Sequence, residues 1–117
     1  MTSTTAFRIS AVFGFLAVAL GAFGAHGLKN MLAQNDTAPI WETAVLYHLT
    51  HSLMLVFVAS REPLHVWAWR LFAGGIVVFS GSLYVLALTN VKMLGAITPI
   101  GGVCLLAGWL ALVLKPK

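Results

Sequence analysis

The chain has 117 residues, of which 60% are hydrophobic and only 9% charged; ordinary soluble domains carry roughly 25% charged residues, so this one has too few to cover a water-facing surface and must be solvated by lipid. The net charge of +4 rests on seven basic and three acidic residues that lie between apolar runs or at the ends, which excludes the clustered basic surface of a nucleic-acid binder. One cysteine, Cys104, excludes an internal disulfide and reads as a small buried apolar side chain.

After a short polar tail (residues 1–6), Arg8 precedes an apolar run from Ile9 to Ala25 with no charge until Lys29. The length predicts a spanning helix at about residues 7–27. A cleaved secretory signal is the rival, with Ala22-Phe23-Gly24 as a small-x-small site. The length of the run and the spacing of its small residues favour a retained helix. Ala17, Gly21 and Ala25 recur every fourth position, a face on which another backbone can approach closely.

Gly27 has the chemistry of a helix C-cap. Leu28, Met31 and Leu32 share one side of a turn, predicting a short interfacial helix at 28–35. Asn35-Asp36-Thr37 and Pro39 then signal a turn and a new helix start. The second span is predicted at 41–60, with Trp41 as an interfacial anchor. Arg61-Glu62-Pro63 closes it, Pro63 serving as an early residue of the next helix.

The third span is predicted at 67–89, its entry marked by Trp67, Trp69 and Arg70. Gly74 and Gly81 stand seven apart on one face. Ser80 and Ser82 are expected to bond back to carbonyls of their own helix. The fourth span covers 93–114, with Gly101 and Gly108 as further packing positions and Trp109 marking its far end. Pro99 predicts a kink or a late start, with Thr98 as cap. A helix starting at Pro99 would extend only ~24 Å against a ~30 Å hydrocarbon core.

Four spans put Arg8, Arg61, Arg70, Lys115 and Lys117 on one side and Lys29 and Lys92 on the other. This bias predicts a multi-pass protein with both termini cytoplasmic, in a bacterial inner membrane. Tight connections predict an all-α, up-down four-helix bundle in a single domain.

The run Gly21-Ala22-Phe23-Gly24-Ala25-His26-Gly27-Leu28 is followed by Tyr47-His48, His51, Gly81-Ser82-Leu83-Tyr84, Thr98-Pro99-Ile100-Gly101-Gly102 and Gly108-Trp109. In this order and over nearly the whole chain, these motifs resemble the small four-helix membrane family of unknown function of the YgdD and YwdK type. The resemblance implies four retained spans and no particular activity. For eukaryotic relatives it implies a mitochondrial membrane.

The stretch Trp41 to Leu55 carries the chemistry. His48 and His51 lie one turn apart on a stripe with Ala44, Ser52, Leu55 and Ala59 that should face the bundle. Glu42 is nine residues before His51 and points away from it, so a His-His-Glu metal set on one helix is not supported. His48 lies ~10 Å deeper than Trp41, which makes a hydrogen bond between His26 and Glu42 across the first two helices the nearer pairing. The expected polar cluster is His26, Glu42, Tyr47, His48, His51 and Thr98, with His65 left as a solvated loop residue.

Three roles fit the cluster. Its members hydrogen-bond one another and fix helix register; or they line a path for a small solute, ion or proton; or His48 and His51 begin a metal or haem site. No catalytic motif is present, no cofactor is predicted, and the reading is a non-enzymatic membrane component. Its expected partners are lipid, further copies of itself or a larger membrane complex, and not nucleic acid.

Overall fold

A computed structural model describes residues 1–116. It contains α1 (Ser3–Ala25), α2 (Lys29–Asn35), α3 (Ala38–Ser60), α4 (Val66–Thr89), a 3₁₀ segment (Lys92–Ala96) and α5 (Thr98–Leu114), with no strand among the described residues. Four stretches are long and apolar enough to cross a membrane: α1, α3, α4 and the 3₁₀ segment continued by α5. The protein is the all-α bundle predicted from hydropathy.

Local chemistry sets the boundaries. Thr2 caps α1, its Oγ1 accepting from the Thr5 N–H at 3.1 Å. Gly27 does not act as the expected left-handed cap: α1 ends at His26 and no glycine has positive φ. Instead Asp36 (φ 56°) ends α2 and Asn90 (φ 61°) ends α4, residue types whose short polar side chains tolerate this region. α3 starts at Ala38 rather than Trp41 because Pro39 fits its first turn. Pro63 lies in the connection; α4 starts at Val66, capped by His65, whose Nδ1 accepts from the Ala68 N–H at 3.2 Å. His65 is thus a cap, not a solvated loop side chain. The fourth span breaks before Pro99, and α5 starts at Thr98 without a side-chain cap.

The helices pack in chain order, α1 on α3, α3 on α4 and α4 on α5, and α1 and α5 do not approach each other. In the apolar stretches of α3 and α4, 39% of residues are buried, against 17% in those of the outer two spans. Long faces of α1 and α5 therefore meet whatever surrounds the protein.

Close approach is concentrated at particular glycines. A Cβ at Gly101 would meet the backbone of Phe79, with Phe79 Cα at 2.7 Å. One at Gly75 would meet Leu105 Cγ at 2.8 Å, and one at Gly108 the Phe72 ring at 2.8 Å. Gly74 and Gly81 face open space, so the predicted seven-residue packing pair is on the wrong side of α4. On α1, Ala17 is buried and Gly21 faces Val45, but Ala25 is exposed; Gly24, against the Trp41 indole, continues the contact.

Buried polar groups tie the helices together. Trp41 is only 3% exposed and donates Nε1–H to the Leu20 carbonyl at 2.9 Å, so it locks α3 to α1 and is not a surface anchor. Trp69 is likewise buried and donates to Ser10 Oγ at 2.9 Å. Ser80 reaches across to the Ala44 carbonyl at 2.8 Å rather than bonding within α4. Thr37 and Asn35 donate to the Ala87 carbonyl at 2.7 and 3.1 Å, satisfying a carbonyl near the end of α4 that has no partner in its own helix.

Candidate functional site

His48 and His51 are both buried, 5% and 8% exposed, on the inward stripe of α3. They do not converge. His48 faces α1 and α4, and His51 faces α5. The one-turn offset that places both inside also sends them to opposite sides of the α3 ridge.

The geometry around His51 fixes its protonation. An indole N–H can only donate, so the 3.1 Å contact from Trp109 Nε1 makes His51 Nε2 an acceptor. Nδ1 then carries the proton and donates to the Tyr47 carbonyl at 2.9 Å, with Thr50 Oγ1 also near at 3.3 Å. The ring lies parallel to Tyr47 and edge-on to Trp109, centroids 6.1 and 5.9 Å away. Both nitrogens are engaged by the protein, and the imidazole is neutral.

His48 is different. Its Nδ1 lies 2.8 Å from the Tyr84 hydroxyl, which has no other hydrogen-bond partner among the described residues. The phenol therefore donates to Nδ1, and the imidazole proton sits on Nε2, the opposite tautomer to His51. Nε2 is buried and makes no geometrically complete hydrogen bond among the described residues; the backbone of Phe13 on α1, whose ring meets the imidazole edge-on, is the group placed to serve it.

The other predicted members are dispersed. His26 and Glu42 are exposed, and the expected hydrogen bond between them is not made among the described residues. His26 is the cap residue of α1, and Glu42, one turn into α3, opens onto the groove between α1 and α3. Thr98 pairs with Ser82 at 2.6 Å on the α4–α5 contact. Tyr47 contributes its carbonyl to His51, while its phenol ring lies against Phe79 at 4.6 Å and faces outward. Among the described residues no group of three or more His, Cys, Asp and Glu is arranged to hold a metal ion.

Tyr84, Trp109, Phe79 and Ser82 are neighbours of the predicted cluster that the sequence reading did not place beside it. The depth of Trp109 was the available signal. It sits five residues before the end of α5, ~8 Å inside that end, too deep for an interfacial belt.

Beside His51 the surface opens into a groove of about 410 Å³, within the size range of small-molecule sites. Tyr47, Phe79 and Trp109 form its aromatic walls, and Pro99 and Gly102 line it from the first turn of α5. A second groove of about 350 Å³ runs between α1 and α3, past Gly21, Trp41 and Glu42.

Residues 20–102 match the family described as "Protein of unknown function (DUF423)". A UPF0382 membrane protein of Staphylococcus epidermidis is 48% identical over 110 residues, covering 91% of this chain and 89% of the relative. One from Staphylococcus haemolyticus is 46% identical over 112 residues, 92% and 90% of the two chains. The UPF0382 membrane protein YwdK of Bacillus subtilis is 43% identical over 112 residues, 90% and 89%. No solved structure matches the chain.

Proposed function

From the premise that the chain belongs to the DUF423 family, whose relatives are named membrane proteins, we propose that it is a non-enzymatic accessory component of a bacterial inner membrane, with both termini cytoplasmic. The observation that carries this reading is His51. Its two ring nitrogens are spent on Trp109 and on the Tyr47 carbonyl, so the imidazole joins α3 to α5 and has no lone pair or proton free for chemistry. Trp41 and Trp69 are used the same way. Polar groups in this bundle hold helices in register.

The long outer faces of α1 and α5 suit contact with further copies or with a larger membrane complex. The orientation is supported by the excess of Arg and Lys on the side of the termini. It is tested by single-cysteine labelling after Cys104→Ala. A Lys115→Cys chain should react with an impermeant maleimide only in opened cells, and a Lys92→Cys chain in intact spheroplasts. The reverse pattern would invert the topology.

A second reading, passage of a small solute or proton, has one observation in its favour: the buried Nε2 of His48, which makes no geometrically complete hydrogen bond among the described residues. Proteoliposomes separate the two. The accessory reading expects proton and small-cation flux equal to protein-free vesicles, unchanged by His48→Ala. Flux above that background, abolished by His48→Ala, would select transport.

A further inference from the structure

We infer that the corner where α3 turns into α4, beside the end of α5, binds the headgroup of an anionic phospholipid. The site needs only that the chain sit in a bilayer, so it stands apart from the accessory role.

Three parts of the chain are fastened together at this corner. The Arg61 guanidinium donates to the Pro116 carbonyl at 3.1 Å, and His65 Nε2 donates to the Ala111 carbonyl at 3.4 Å. These bonds hold the end of α5 against the α3–α4 connection. Beside them opens a groove of about 270 Å³, lined by Leu64 and His65 from the connection, Trp67 from the first turn of α4, and Lys115 from the end of α5. The Arg70 guanidinium lies 5.6 Å from the Trp67 ring centroid. This cation–π contact keeps a second positive charge beside the groove.

Charge decides what the groove takes. Lys115 and Arg70 flank it, while the nearest acid, Glu62, lines the adjoining groove together with Arg61. An anionic phosphodiester meets two cations here. The ammonium of a zwitterionic headgroup would meet the same two and be repelled. Trp67 adds a donor. Trp41, Trp69 and Trp109 each donate their indole N–H inside the protein. Trp67 is 66% exposed, and its N–H has no partner among the described residues. At the end of a span that N–H sits at headgroup level, where phosphate and ester oxygens lie.

An acyl chain has room below. Trp67, Arg70, Gly74, Val77 and Gly81 follow one another every three or four residues along one face of α4. A Cβ at Gly74 or Gly81 would meet nothing within 4 Å, and Val77 is 60% exposed. The glycine pair that packs against no helix of this chain leaves a shallow trough in line with the headgroup site.

A second copy fits less well as the occupant. The chain has three acidic residues. In a copy of the same orientation Asp36 and Glu42 belong to the far end of α3, a helix ~34 Å long. Only Glu62 would be at this depth.

The test is native mass spectrometry of the full-length protein released from detergent micelles, titrated with phosphatidylglycerol or phosphatidylethanolamine of identical acyl chains. One phosphatidylglycerol per chain is expected, bound about thirtyfold tighter than phosphatidylethanolamine, since two basic groups each contribute about fivefold toward an anionic lipid. Lys115→Gln with Arg70→Gln should remove that preference, and Trp67→Phe should weaken phosphatidylglycerol binding about threefold. All three side chains are exposed, so thermal unfolding of these variants should match the parent. Arg8→Gln is the control. Arg8 stands on the same side of the membrane but in a different groove, with Ser3 and Phe7, and its loss should leave the preference intact. Equal binding of the two lipids, an equal loss in Arg8→Gln, or displacement of phosphatidylglycerol by an equal concentration of inorganic phosphate would each overturn the inference.

Discussion

Gly101→Ala is expected to lower the stability of the folded bundle by about 1–3 kcal/mol or more, because its new methyl group lands on the backbone of Phe79. A side chain at that spot could rotate away, but a backbone cannot, so α5 must shift off α4. The same shift would misplace Ser82 and Thr98, which bond across this contact at 2.6 Å. Gly74→Ala is the control. It sits on the same pair of helices, its Cβ meets nothing within 4 Å, and alanine favours helix over glycine by about 1 kcal/mol. Reversible unfolding in mixed micelles should show the first variant destabilised and the second unchanged or slightly more stable. Equal effects would mean that α4 and α5 do not meet at Gly101.

His51→Ala and Trp109→Phe form the second prediction. Each single change is expected to cost about 1–2 kcal/mol, since each leaves its partner, the buried His51 or the half-exposed Trp109, without the hydrogen bond between α3 and α5. The double variant should cost less than the sum, with a coupling of roughly 0.6–1.7 kcal/mol, the range found between membrane helices. The control pair is Ser80→Ala with Trp109→Phe: Ser80 bonds the Ala44 carbonyl on another contact, so its effect should add to that of Trp109 within about 0.5 kcal/mol. Additive effects for His51 and Trp109 would mean that they act separately.

The architecture was legible because hydrocarbon thickness dictates helix length. Four apolar stretches of about the right size leave little choice, and the short α5 followed from Pro99. The direction of side chains was not legible. In a helix they tilt toward its N-terminus, so on antiparallel α3 and α4 two side chains lean toward each other along the membrane normal. Tyr84 meets His48 in this way, although counting residues from helix ends places the two at different depths. The same count suggested His26 bonded to Glu42, but both are exposed and make no bond to each other among the described residues.

Adjacent glycines pose a related limit. Gly74 and Gly75 differ by a rotation of about 100° around α4, and only the second lies on the α5 face. The spacing of Gly74 and Gly81 carried no information about which side was the contact. Tryptophans were misread for a different reason. Interfacial tryptophans keep their N–H near water, but Trp41, Trp69 and Trp109 each satisfy theirs inside the protein. Their acceptors are Leu20, Ser10 and His51, distant in sequence and visible only once the helices are packed.

His51 is proposed to join helices and not to be held in reserve for chemistry. Nitrogen-15 solid-state NMR of the protein in lipid bilayers, correlating the His51 ring nitrogens with the Trp109 indole N–H, tests it most directly. A His51 proton on Nδ1, with an unprotonated Nε2 correlated to the Trp109 indole, is the predicted result. A proton on Nε2, or no correlation with Trp109, would mean that His51 does not bond α5.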